Sequence, residues 1–371
     1  MADQLLTLNA GSSSVKYALF ERQPAGLARL NAGQVEGIGT PGGPASHGDA
    51  LGQVLAAIGG ARITAVGHRI VHGGTGFDHP VAVDDAVLAQ IDALAPLAPL
   101  HQPHNAAGVR AAQAAFAGVP QVACFDTAFH RSMPPLNQRF ALPAALHDAG
   151  VRRYGFHGLS YESIAAQVDA LGTAPDARVV VAHLGNGASM CAMRGGRSVA
   201  TTMSFSPLDG LPMGTRCGRL DAAVVLHLLG QGHSSADVTR LLYRESGLLG
   251  LSGLSSDMRT LMASALPEAR MAVDYFVEYV ARELAGMAAA LRGIDLLVFT
   301  GGIGENAAEL RNRIIDTAAW LGLQRASAPH ATDPGLLSSA GSPVQVRVLR
   351  TDEEAVIAGH AARLAWGPAA G

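Results

Sequence analysis

The sequence predicts an α/β fold built from two copies of one unit. Three observations carry this. Short apolar strands alternate with helix-length amphipathic stretches along the chain. The strand–turn–strand layout of residues 5–20 recurs at 179–193. Each hairpin is followed later by a strand ending on polar groups: 121–130 in the first half, 296–306 in the second. A duplicated unit with a ligand between the copies has this appearance, although short strand–turn–strand pieces also resemble one another by chance.

Strands are expected at Leu5–Leu8, Val15–Phe20, Ala65–Val71, Gln121–Phe125, Val179–Leu184, Ser189–Met193, Asp295–Thr300 and Val344–Leu349. Each is a short apolar run bounded by turn residues. Helical periodicity marks Asp84–Leu94, Asn105–Phe116, Ser160–Ala170, Leu220–Leu229, Pro267–Leu291, Ala307–Trp320 and Glu353–Leu364. The longest of these opens on proline and has Gly293 beyond its end, the asymmetry helix termini favour. Segments 37–48 and 328–343, rich in Gly, Pro, Ser and Ala, read as surface loops.

A length of 371 residues suggests two domains of ordinary size. With 49% hydrophobic and 15% charged residues the chain reads as globular rather than disordered. No apolar run is long enough for a transmembrane helix, and the start MADQLLTLNA lacks a signal peptide's basic and apolar regions. A net charge of −3 without a basic tract argues against nucleic acid. Cys124, Cys191 and Cys217 are odd in number and lack a CxxC pair. They are expected to be free thiols in a cytoplasmic protein, not a disulfide framework or a zinc site.

Lys16 is the only lysine. It follows a turn of Asn9, Gly11 and three serines that offers N–H groups, hydroxyls and one compact ammonium, as a phosphate cradle does. The lysine sits on a strand, so this is no Walker A loop, and a plain Ser/Gly hairpin with a surface lysine is the competing reading. His183-Leu184-Gly185-Asn186-Gly187 ends an apolar strand; it is a ligand turn or merely a tight hairpin. Gly302-Ile303-Gly304-Glu305-Asn306 reads as a Gly-rich turn before a helix, suited to a nucleoside. With Ala307 it meets the loose GxGxxA pattern, but no βαβ unit with the matching acid follows. Arg69 lies in an apolar strand and Arg216 in a Gly-flanked turn. Each suits a planar anion, or a structural Arg–Asp pair. Asp126 ends a strand, His157 lies between glycines, and Asp352 and Glu353 precede the last helix, where capping is the simpler use. His101 and His104 have a metal-like spacing without a third ligand and read as a loop and helix start.

In chain order, NAGSSSVK, GHRIVHGG, FDTAFH, RRYGFHG, HLGNGAS, LPMGTRCG, SSDMR, FTGGIGEN and RTDEEAVIA resemble the acetate kinase family, within the acetate and sugar kinase, heat-shock ATPase and actin superfamily. The chain departs from that pattern in TGGIGEN for TAGIGEN, in HQP for HNP, in the proline of LPMGTRCG, and in a short segment between Phe20 and Thr64. The resemblance implies two ribonuclease-H-like domains, 1–129 plus 352–371 and 130–351, with a nucleotide cleft between them. It implies Mg²⁺ (Mn²⁺ as the alternative) near Asn9 and Glu353, with phosphates at Ser12, Ser14 and Lys16. Arg69 would bind the substrate carboxylate, with Arg216 beside it. Asp126 and His157, with Arg216, would sit at the transferring phosphoryl. Val71, Leu100 and Pro207 would line the acetate methyl pocket. His183–Gly187, Asp257, Met258, Arg259 and Gly302–Asn306 would bind ATP or ADP, and the chain would form a homodimer. The implied reaction is ATP + acetate ⇌ ADP + acetyl phosphate by in-line transfer. Propionate or butyrate as acceptor, and a non-catalytic ATP-binding clamp of the actin type, remain the alternatives.

Overall fold

A computed structural model of the chain describes residues 3–367. The fold divides into two compact units. Unit 1 comprises residues up to 131, 158–163 and those from 352; unit 2 comprises 132–157 and 164–351.

Unit 1 holds β1 (Gln4–Ala10), β2 (Ser14–Gln23), β3 (Gly26–Glu36), β4 (Ile63–Ile70), β5 (Val81–Ala82) and β6 (Gln121–Phe125), in the order β3-β2-β1-β4-β6-β5. The first three strands form an antiparallel meander; β4 and β6 add in parallel. Unit 2 holds β7 (Arg178–Leu184), β8 (Ala188–Arg194), β9 (Arg197–Thr201), β10 (Leu296–Thr300) and β11 (Gln345–Val348), in the order β11-β10-β7-β8-β9. Again the first three strands are an antiparallel meander and the last two add in parallel. The two sheets thus share one winding, which bears out the duplicated α/β fold. The hairpin echo is real: 5–20 lies in β1 and β2, 179–193 in β7 and β8. The second echo is displaced by one strand. β10 takes the place of β4, and the partner of β6 is β11. Both β6 and β10 end on polar residues because both are parallel strands opening at the same sheet edge, and that likeness does not distinguish fourth from fifth place.

Period-two alternation sorts the unit 1 core. Leu6, Leu8 and Ala10 face the helix His47–Ile58, whose Ala50, Leu51, Val54 and Ile58 pack on them. Leu5, Ala65, Val122 and Cys124 face the helix Glu353–Trp366 through Ile357, Ala358 and Ala361. Gly67 allows that approach, since a Cβ there would lie 2.6 Å from Ile357.

Several elements differ from the sequence expectation, among them β5, β9 and the helix Ser235–Arg244, which it lacks; three others show why. The loop expected at 37–48 gives way at its end to the helix His47–Ile58, opened by Ser46, whose hydroxyl accepts from Asp49 N at 3.1 Å. The expected turn at 302–306 is itself a short helix, Gly301–Asn306. Glu305 closes its first turn by accepting from Gly301 N at 3.1 Å. β3 was not anticipated: as an edge strand it has no fully buried residue and so shows no apolar alternation. The long helix runs Pro267–Leu291 as expected, with Arg292 left-handed at its end before Gly293. Among the described residues no helix is long and apolar enough to cross a membrane.

Candidate active site

In unit 1 the alternation that builds the core also builds a polar cluster. Asn9, Arg69 and Asp126 each lie four residues beyond Leu5, Ala65 and Val122, so they continue one sheet face at the C-terminal ends of three neighbouring parallel strands. Glu353 is the first residue of the helix covering that face. Arg69 grips Asp126 with both prongs, Nε to Oδ1 at 3.0 Å and Nη2 to Oδ2 at 2.5 Å. Its Nη1 donates to Asn9 Oδ1 at 3.2 Å, and Glu353 Oε2 lies 3.7 Å from Nε. Burial opposes the Arg69 cation, but Asp126 and then Glu353 outweigh it and raise its pKa above the ordinary value. Of the two readings open for Arg69, the Arg–Asp pair is present.

Asn9 and Glu353 are hard oxygen donors beside a buried ion pair. Glu353 makes no side-chain hydrogen bond among the described residues, and it stands at a helix N-terminus capped by Asp352, which accepts from Ala355 N at 2.9 Å. That donor set would suit Mg²⁺, an ion that keeps several waters and takes one or two carboxylates. Lys16 pairs in register with Asn9 and its Nζ lies 3.5 Å from Glu354. It is half exposed on the same face. Gly11 N donates to Ser14 O at 2.8 Å, closing the turn with Ser12 exposed at its tip. Val71 is buried and Leu100 half-buried.

In unit 2, the ladder pairs His183 with Ser189, and Ser189 Oγ lies 2.8 Å from His157 Nδ1. The His157 and His183 rings stack with centroids 4.3 Å apart. His157 adopts a left-handed backbone, φ 57° and ψ 25°, a conformation that costs a non-glycine residue energy and often marks a functional site. Gly187 explains why no side chain stands there: its Cβ would lie 2.8 Å from Arg216 Nη2 and 3.5 Å from His157 Nε2. Gly214 is equally confined, with a Cβ 2.0 Å from Asn186 Oδ1. Arg216 Nη1 donates to the carbonyl of buried Pro207 at 2.6 Å. Among the described residues Arg216 forms no ion pair with a carboxylate, and burial pushes its pKa below the ordinary value. The second reading left open by the sequence, a structural Arg–Asp pair, is therefore not the arrangement at Arg216.

Three distant segments meet in one cavity of about 720 Å³ within unit 2: Gly185 and Asn186; Asp257, Met258 and Arg259; and Gly302, Ile303 and Asn306. Its size is that of a small-molecule site. Asp257 caps the helix Met258–Met262 through Arg259 N and Thr260 N and pairs with Arg259 at 2.7 Å, which holds its carboxyl down at about 2. The other residues singled out in these segments, His183, Leu184, Gly187, Gly304 and Glu305, do not line the cavity. Leu184 and Gly304 are buried, and Glu305 binds backbone at Gly301 and Thr351. Met262, Ala307, Ala308 and Glu309 also line the cavity and were not anticipated. Met262 was legible as the residue one turn beyond Met258 on the same helix face.

The model of the acetokinase family matches residues 48–359. The chain is 48% identical to acetate kinase of Methylocella silvestris, over 97% of either chain, and 49% identical to that of Rhodopseudomonas palustris, over 99% of this chain and 100% of the other. Among solved structures, acetate kinase of Porphyromonas gingivalis matches with a TM-score of 0.86 at 35% identity, covering 98% of this chain and all of the other. A propionate kinase from Francisella tularensis matches with a TM-score of 0.91 at 37% identity and the same coverage. The chain is a phosphotransferase and belongs to the acetokinase family.

Proposed function

We propose that the protein transfers the γ-phosphoryl of ATP to acetate, giving acetyl phosphate and ADP, in one in-line displacement. The observation that carries this reading is Arg216: a desolvated cation with no carboxylate partner among the described residues, beside Gly187 and His157 and joined through Asn186 to a nucleotide-sized cavity. Phosphoryl transfer is catalysed chiefly by positioning and charge neutralisation, and such a cation supplies the second. Acetate is ionised at neutral pH, because a carboxylic acid titrates near ~4 to 5, so no general base is required. Asp126, clamped to Arg69, then orients rather than removes a proton. Mg²⁺ bound near Asn9 and Glu353 would neutralise phosphate charge. His157 and Arg216 donate to the transferring group, Arg69 and Val71 receive the acetate, and Ser12, Ser14 and Lys16 meet the phosphates.

Propionate is the second reading, favoured by the likeness to a solved propionate kinase. Assaying ADP formation with acetate, propionate and butyrate decides between them; a pocket edge rejects one methylene by roughly 10- to 200-fold. A higher kcat/KM for propionate than for acetate would overturn the acetate assignment. We further infer a homodimer, supported by the exposed apolar residues Val224, Leu226 and Leu229 on the helix Ala222–Gly230. Three free thiols support a reducing, cytoplasmic setting.

A further inference from the structure

The sheet of unit 1 parts where the candidate ligands begin. The β1–β4 ladder ends at Leu8 opposite His68. On either side pairing continues, β1 with β2 to Ala10 and β4 with β6 to Ile70. Ala10 and Val71 therefore flank a split between two parallel strands, the kind of crevice where ligands bind in open α/β sheets. On one face the split is spanned by the hydrogen bond from Arg69 to Asn9. Within it lies Asn105, one turn into the helix Gln102–Ala115. Its Oδ1 accepts from Val71 N at 2.9 Å and its Nδ2 donates to Ala10 O at 2.7 Å. The buried carboxamide stands where a peptide group of the missing ladder would be. Gly108, one turn on, lets the helix come this close, since a Cβ there would lie 2.6 Å from the Ala10 Cβ. Gln102 steadies the next residue, donating to His72 O at 3.0 Å and to Ile91 O at 3.2 Å.

We propose that Asn105 is a positioning residue for phosphoryl transfer, a surrogate peptide that fixes the spacing of the Asn9–Ala10 strand end, which leads into the serine turn, from the Arg69–Val71 strand end assigned to the acyl group. The inference rests on the acetate kinase reading. It requires Asn105 to govern chiefly how the carboxylic acid is held, and to leave alone the larger share of nucleotide affinity, which the proposed function gives to the unit 2 cavity.

The test compares the unmodified protein with Asn105→Ala and with Asn105→Asp, which keeps the volume and the acceptor for Val71 but sets an oxygen against Ala10 O. Both variants should raise the KM for acetate by about tenfold, the scale of one or two lost hydrogen bonds. Both should also change the ratio of kcat/KM for acetate to that for propionate, a quantity independent of how much enzyme is folded. The dissociation constant of ADP, read by calorimetry, should stay within about twofold. An unchanged acetate KM and an unchanged ratio in Asn105→Asp would overturn the proposal even if Asn105→Ala fails to fold. If the unmodified protein phosphorylates neither acid, the functional reading falls, and hydrogen exchange at the Val71 amide then judges the clamp: slow exchange that is lost in Asn105→Asp or Asn105→Ala supports it, and fast exchange in the unmodified protein overturns it.

Discussion

Two arginines that look alike in the sequence differ in what they hold. Arg69 is committed to Asp126, whose side chain is 1% exposed. Arg69→Leu would remove the cation from that buried carboxylate, and removing one partner of a buried pair costs about 3–5 kcal/mol. The first expected effect is thus a lower Tm in thermal melts, with a raised acetate KM in whatever remains folded; an unchanged Tm would show that the pair adds nothing to stability. Among the described residues Arg216 has no such partner, so Arg216→Lys should fold normally and lose kcat by roughly 10²–10³, as when a preorganised donor is removed. A near-normal kcat in steady-state assays would reduce it to a structural arginine. Lys16 lies 3.5 Å from Glu354 with 55% of its side chain exposed, and an exposed ion pair contributes little. Stability therefore gives no reason for lysine there. Lys16→Arg should nevertheless slow turnover, because a wide guanidinium fits a serine turn poorly; full activity would remove the phosphate reading of that turn. The residue types were legible from the sequence. Which arginine was already paired was not, because Asp126 is 57 positions from Arg69 and reaches it only through the β4–β6 ladder.

Elements were legible where one face is buried and one is not. The helix Pro267–Leu291 and the hairpin strands follow their apolar pattern. The helix at 301–306 was hidden because its first turn is closed by Glu305 rather than by an N-cap side chain, so its glycines read as a turn. The helix His47–Ile58 did carry a signal, Ser46 three residues before Asp49, inside a segment whose glycines and prolines masked it. β4 and its exit carry a different consequence. His68 and His72 are buried, and burial lowers each pKa to about 4, with Gln121 pulling His68 the other way. The unfolded chain takes up these protons near 6.5. Between pH 6.5 and 4 the unfolded state therefore binds more protons than the folded one, and stability falls as pH falls through that window. Melting curves of His68→Gln, which retains a donor for Gln121, should show a shallower fall of Tm across the same range. An equal fall would assign the titration to other groups.

For the whole molecule, the duplication was visible because a strand–turn–strand hairpin is local in sequence. The equivalence of β10 in one sheet to β4 in the other was not, because parallel strands are joined by crossovers too long and too varied to align. The same limit applies to surfaces. The helix Ala222–Gly230 has nine residues, AAVVLHLLG, and none of them is buried. A helix this short is marginal in water by itself and normally depends on packing an apolar face. Here the apolar side chains are present, with Leu226 69% exposed, and among the described residues none of them finds full cover. Large exposed apolar patches often mark interaction surfaces, and three exposed apolar side chains on one short helix are a candidate for one. In a homodimer the helix would lie against its own copy, since a two-fold axis brings the same patch to both partners. Leu226→Asp places a charge on the most exposed of these side chains and should shift the protein from dimer to monomer at micromolar concentration in sedimentation velocity, with the unit 2 cavity still binding ADP. A dimer of unchanged affinity in Leu226→Asp would put the contact elsewhere, and a monomeric unmodified protein would end the inference. The helix would then have to hold its shape without packing, which a measured loss of protection at its amides would reveal.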